Sequence, residues 1–139
     1  MKKILLSAAL SLVLLTGCGS TETITCTQSQ TSFGVEMNQV INVEIKGNNF
    51  VSMDMTIDAI LPESLLSQKS TFIDKLETTY ASMEKQLGAK PVTTETEKGA
   101  QIKYEMNAEQ AKKFAGTSNT KVSKKEVITT FEKQGYKCN

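Results

Sequence analysis

The sequence predicts an α+β fold, in which an antiparallel sheet of about five strands carries one long helix and two shorter C-terminal helices packed on one face. Three observations support this prediction. Apolar and polar residues alternate before Leu61 and again between residues 92 and 106, which is the period of a strand. From Glu63 to Leu87 the apolar residues recur at helical spacing. Two further helix starts then follow near the C-terminus.

The first three strands are separated by turn residues. We expect an interruption around Ser32-Phe33-Gly34 and a hairpin turn at Gly47-Asn48-Asn49, because glycine and asparagine tolerate positive φ. The strands that these turns separate are Ile24–Thr31, Gln39–Lys46 and Phe50–Ile60. One face of the third strand is predicted to carry Val51, Met53, Met55 and Ile57.

The long helix is predicted to begin at Pro62 or Glu63 and to run to Leu87, since Gly88 is a typical residue just past a helix end. A second strand pair, Val92–Glu97 and Ala100–Met106, follows around Lys98-Gly99.

Two capping signals mark the C-terminal helices. Asn107 is followed three residues later by Gln110, which predicts a short helix over Ala108–Ala115. Ser123 and Glu126 form the same kind of capping box ahead of the last helix, which Gly135 should end.

The amino-terminal segment has the layout of a bacterial lipoprotein leader. Lys2 and Lys3 precede an apolar run of about 12 residues, too short to span a membrane as a helix. Leu15-Thr16-Gly17-Cys18 is similar to the lipobox, which implies that Cys18 receives a diacylglyceryl group and becomes the first residue of the mature chain. We therefore expect a signal peptide over 1–17, a lipidated tether over 18–23 and a single α+β domain over 24–139. A plain secreted protein is the alternative.

The residue content excludes several classes of function. The chain of 139 residues has no histidine and no tryptophan, and its basic residues are all lysines. A Ser/His/Asp or Cys/His catalytic system and a histidine-ligated zinc site therefore cannot be built. Beyond the leader, 14 lysines face 15 acidic residues, a balance that argues against nucleic acid as a partner. We expect a protein that is not an enzyme and has no cofactor.

Cys26 and Cys138 remain once Cys18 is lipidated. An even pair in an exported protein suggests a disulfide bond, which would join the first strand to the C-terminal tail. Two free structural thiols and a metal pair are the competing interpretations.

The folded region resembles the small YehR-type lipoproteins, whose function is unknown. The similar features are the lipobox, a hairpin like Val43-Glu44-Ile45-Lys46-Gly47-Asn48, the long helix, a strand resembling Ile102–Met106 and the terminal helix near Val127–Gly135. The resemblance implies a fold and supplies no catalytic residues.

Three sets of residues are candidates for function. Met53 and Met55 could hold Cu(I), although core filling is the stronger interpretation. Acidic residues on the opposite strand face could bind Ca²⁺ or act as an acid and base pair, although a solvated sheet face is favoured. These acidic residues are Glu44, Asp54 and Asp58.

The third set is basic. Residues 107–139 carry seven lysines and three acidic residues, and this end could contact anionic lipid headgroups or an anionic envelope polymer. A solubilising helix face is the alternative. The candidate contact residues are Lys112, Lys113, Lys121, Lys124 and Lys125.

The sequence thus favours a lipid-anchored protein on the extracytoplasmic face of the cell membrane, acting as a binding or interaction module with a possible envelope protein as partner. A small-ligand or metal-binding lipoprotein serving another envelope system is the second hypothesis. A hydrolase that uses carboxylates alone is the third.

Overall fold

A computed structural model describes residues 20–117 and 121–139. The strands in chain order are β1 (Thr21–Ser32), β2 (Val35–Lys46), β3 (Asn49–Ile60), β4 (Val92–Thr96), β5 (Gly99–Asn107) and β6 (Lys137–Cys138). The helices are a 3₁₀ helix (Glu63–Gln68) and the α-helices α1 (Lys69–Leu87), α2 (Ala108–Ala115) and α3 (Lys124–Lys133).

All neighbouring strands pair antiparallel in one sheet of order β4-β5-β3-β2-β1-β6. This confirms the α+β class, but the sheet has six strands rather than about five. The additional strand is β6, whose two residues pair with Cys26 and Thr27 of β1. A strand of two residues is too short to show an alternating pattern, so the sequence did not predict it.

The first two strands are longer than predicted. β1 begins at Thr21 and β2 at Val35, and a two-residue turn of Phe33 and Gly34 joins them. Both turn residues have positive φ, 51° at Phe33 and 79° at Gly34, as in the hairpin turns that match strand twist. The predicted gap between Thr31 and Gln39 was therefore wrong, since Val35, Glu36, Met37 and Asn38 alternate in apolar and polar character and pair with β1.

The face assignment on β3 was wrong at one position. The β2–β3 register shifts between Glu44 and Ile45, which pair with Ser52 and Phe50, so Val51 is the extra residue of a bulge. Val51 is consequently 40% exposed and Phe50 is buried in its place.

The core combines one face of the sheet with residues from the helices. Buried side chains such as Ile41, Met55 and Tyr104 belong to the same apolar cluster as Ala111 of α2 and Phe131 of α3. Three half-buried residues of α1 also pack against this cluster, namely Leu76, Tyr80 and Met83.

Aromatic contacts help to fix the helices. The Tyr104 hydroxyl donates a hydrogen bond to the Tyr80 carbonyl oxygen, 3.1 Å away, and burial raises the pKa of Tyr104 to about 12. Phe131 lies between Phe114 and Tyr136, at centroid distances of 6.4 and 5.7 Å.

The helix boundaries follow the sequence signals closely. The predicted long helix begins as a 3₁₀ turn at Glu63 and becomes α-helical at Lys69, and Gly88 ends it with a φ of 73°. Both capping boxes form, at Asn107 with Gln110 and at Ser123 with Glu126.

Candidate functional site

The lipobox and Cys18 lie outside the described residues. The other two cysteines are brought together, because Cys26 and Cys138 are direct partners across β1 and β6. Their sulfur atoms lie 1.98 Å apart, which is disulfide bonding distance. Cys26 is fully buried in the apolar cluster, and Cys138 packs against that cluster.

The five candidate lysines fall into different environments. Lys112 has a side chain only 11% exposed, and its ammonium lies 2.9 Å from the Glu109 carboxylate. The hydrogen bond from Lys112 lowers the pKa of Glu109. Lys112 therefore already has a partner within its own helix. The remaining four are exposed, and they are Lys113, Lys121, Lys124 and Lys125.

Three of these lysines lie near a fourth that the sequence analysis did not single out. Lys121 forms a β-bridge with Asn49, which pairs with Lys46, and Lys46 in turn pairs with Thr21. Ser123 then begins α3 with Lys124 in its first turn. We call this region the Thr21 end of the sheet. Only the tertiary pairing reveals it, since Lys46 and Lys121 are distant in sequence.

The opposite end of the β1–β2 ribbon carries the turn at Phe33, and we call it the Phe33 end. The Phe33 side chain is 97% exposed. A β-carbon on Gly34 would lie 3.3 Å from Pro62, so the turn sits against the segment that leads into the 3₁₀ helix.

Further apolar residues lie beside this turn. Val35, Leu65 and Phe72 line a groove of about 110 Å³ and are each half-buried. Together with Phe33 they form what we call the Phe33 patch. The sequence analysis treated Phe33 only as a strand interruption, and a bulky apolar residue in a turn was the signal available.

The acidic residues on the open face of the sheet are held by neighbouring polar groups. Asn42 donates a hydrogen bond to Asp54 at 3.0 Å, and Gln101 donates one to Asp58 at 2.8 Å. The Ser52 hydroxyl likewise donates to Glu44 at 2.8 Å. Because the two aspartates are four residues apart on one strand, they are separated by about 13 Å. That spacing exceeds the roughly 5–9.5 Å of paired catalytic carboxylates in glycosidases.

Metal coordination finds no support in the described part of the chain. No group of three or more cysteine or acidic side chains there is arranged to hold a metal ion. Met53 and Met55 are each 2% exposed within the apolar cluster, as the core-filling interpretation expects.

A second groove lies between β3, α2 and α3, with a volume of about 190 Å³. Its apolar wall includes Phe50, Val127 and Phe131, and Lys121 and Glu126 also line it. Cavities that enclose drug-sized ligands are larger, at roughly 300–1,000 Å³. This groove is therefore too small for such a ligand, whereas two other grooves, of about 420 and 470 Å³, fall within that range.

Comparisons with known proteins add little. No protein-family model matches the chain, and the search of curated proteins found no match. An NMR structure of a protein from Streptococcus pneumoniae TIGR4 is similar, with 13% identity and a TM-score of 0.49. The alignment covers 100% of this chain and 97% of that protein. This likeness carries no information about function.

Within residues 20–117 and 121–139, none of the helices combines the length and apolar character that crossing a bilayer requires.

Proposed function

We propose that this protein is a lipid-anchored interaction module on the extracytoplasmic face of the cell membrane, and that it binds a protein partner through the Phe33 patch. It is not an enzyme in this proposal. The leader and the lipobox cysteine support the anchor. The pairing of Cys26 with Cys138 across β1 and β6 supports an oxidising compartment, because disulfide bonds are rare in the cytosol.

The exposure of Phe33 is the observation that carries the partner-binding proposal. Leaving a phenylalanine in water forgoes about 1.5–3 kcal/mol of burial free energy. The residue also adopts a φ of 51°, a left-handed conformation that costs a side-chain-bearing residue about 1–2 kcal/mol. Neither property stabilises the monomer. The turn geometry accounts for the positive φ, whereas the exposure of the ring is explained if Phe33 is buried against another protein, where aromatic residues act as binding anchors.

The position of Phe33 suits an anchored protein. β1 runs from Thr21 to the turn, so about 12 residues of strand place Phe33 roughly 40 Å from the start of the strand. With the lipid attached just before Thr21, the Phe33 patch would stand away from the membrane. We also infer that the helices occupy one face of the sheet. The Phe33 end then remains accessible to a partner protein.

The test is site-specific photo-cross-linking of the full chain in the cells that produce it. A photoreactive phenylalanine analogue at position 33 is expected to give a discrete protein adduct. The matched control carries the analogue at Val92, another exposed apolar residue, which is 62% exposed on the edge strand β4. Equal adducts at both positions, or none at position 33, would contradict the proposal.

A substitution separates binding from folding. Phe33→Asn removes the aromatic ring but suits the turn, because asparagine tolerates positive φ. The variant should bind the cross-linked partner at least about 30-fold more weakly, which is the loss of a typical anchor. Its free energy of unfolding should be no lower than that of the wild type, and at most about 1 kcal/mol higher.

A further inference from the structure

Strand pairing and the start of α3 place four exposed lysines at the Thr21 end. Each step of the contact path from Thr21 to Lys46, Asn49 and Lys121 joins residues that are opposite one another in antiparallel strands. Since such residues lie about 5 Å apart, the backbone of Lys121 is within roughly 15 Å of Thr21. The hydrogen bond from the Val122 amide to the Asn48 carbonyl oxygen, 2.7 Å long, holds this connection.

The Thr21 end has a surplus of positive charge. Lys46, Lys121, Lys124 and Lys125 are all exposed. The exposed acidic residues beside them are Glu22 and Glu126, while Glu44 is half-buried and accepts a hydrogen bond from Ser52. Glu126 is engaged by the amide and hydroxyl of Ser123, at 2.7 and 2.9 Å. The hydrogen bond from the Ser123 amide, and to a lesser extent the one from its hydroxyl, lowers the pKa of Glu126.

Two of the lysines occupy positions that do not favour their own helix. Lys124 and Lys125 lie in the first turn of α3, directly after the capping residue Ser123. The helix dipole makes this turn favourable for anions and unfavourable for cations. Helix stability therefore does not account for these lysines.

The anchor would keep this surface close to a membrane. Cys18 and Thr21 are three residues apart, and a fully extended chain spans at most about 3.6 Å per residue. The start of β1 can therefore lie no more than roughly 11 Å from the lipidated residue. Our sequence prediction placed the first strand at Ile24, and the earlier start at Thr21 shortens the tether accordingly.

We propose that Lys46, Lys121, Lys124 and Lys125 form a membrane-docking surface for anionic lipid headgroups, which orients the domain with the Phe33 patch outward. The proposal rests on the lipid anchor of the proposed function. The anchor holds the Thr21 end at the bilayer, and the lysines select an anionic one.

The test measures lysine reactivity on membranes. Mature lipidated protein is inserted from detergent into preformed vesicles of phosphatidylcholine, with or without a third of phosphatidylglycerol. It is then acetylated with a succinimidyl ester. Peptide mass spectrometry then gives the rate at each lysine. Each lysine near an anionic surface binds it with about 1 kcal/mol, which is a factor of about five in the bound-to-free ratio. The four lysines should therefore be acetylated about five-fold more slowly on anionic vesicles than on neutral ones. Molar salt should remove the difference, since it shortens the screening length to about 3 Å.

Two variants of equal charge provide the control. In the Lys124→Gln, Lys125→Gln variant, Lys46 and Lys121 should lose their protection from acetylation. The variant should fold as well as the wild type, because it removes cations from the start of a helix. Lys75→Gln with Lys98→Gln should leave the protection intact, because both residues lie at the Phe33 end. Lys75 lines the groove there, and the Lys98 carbonyl oxygen accepts a hydrogen bond from the Leu61 amide.

The outcomes separate this inference from the proposed function. Equal rates on both kinds of vesicle, with a lipid on Cys18 in the same mass spectra, overturn the docking surface and leave the anchor standing. An unmodified Cys18 overturns both proposals.

Discussion

Removing the Cys26–Cys138 bond should cost this protein a large part of its stability. The two cysteines are 112 residues apart, so the bond closes a loop that spans most of the folded domain. On the chain-entropy account, a loop of that length stabilises the folded state by about 5 kcal/mol, because it restricts the unfolded chain. Typical domains have a total stability of roughly 5–15 kcal/mol, so the loss would be severe.

The assay is urea unfolding of the purified full chain, followed by circular dichroism because the protein has no tryptophan. Cys26→Ala with Cys138→Ala is compared with the oxidised wild type. Thr27→Ala with Lys137→Ala is the matched control, since these residues form the neighbouring pair across the same two strands. The control should change stability by less than about 0.5 kcal/mol. A cysteine variant within about 1 kcal/mol of the wild type would refute the reasoning.

Three further predictions concern the core and the sheet. Phe131→Ala should lower the free energy of unfolding by about 3–5 kcal/mol in the same assay, because the ring is fully buried, and a loss below about 1 kcal/mol would contradict this packing. Tyr104 has a pKa raised from 10.0 to about 12, so its contribution to stability is present below pH 10 and is lost as the pH rises to about 12. Alkaline unfolding curves should show this loss and Tyr104→Phe should reduce it, whereas an identical pH profile in the variant would count against the assignment. Gly99→Ala should destabilise the β3–β5 pairing, since the added carbon would lie 1.9 Å from the Ala59 carbonyl oxygen, and an unchanged urea midpoint would contradict that close approach.

Local signals predicted the parts of the fold that depend on neighbouring residues. The capping pairs Asn107 with Gln110 and Ser123 with Glu126 formed as the sequence indicated. Gly88 ended the long helix in a left-handed conformation, which glycine adopts at little cost.

The features that sequence patterns missed depend on distant contacts. The bulge that exposes Val51 arises from the β2–β3 register, and alternation alone does not reveal a register shift. The strand β6 exists because Cys138 pairs with Cys26 across the sheet edge.

The same limit applied to the candidate surfaces. Lys112 was grouped with the other lysines by sequence, yet its position on α2 buries it beside Glu109. Lys46 was not grouped with them, although the bridge between Asn49 and Lys121 brings it close. Charge counts along the chain report composition, and only the folded surface decides which charges act together.

The most direct test of the account is the mass of the amino-terminal peptide of the mature protein, isolated from membranes of the cells that make it. The account predicts a peptide that begins at Cys18 and carries a diacylglyceryl group on its sulfur. A peptide that retains residues 1–17, or a mature chain with an unmodified Cys18, would contradict the anchor on which both proposals depend.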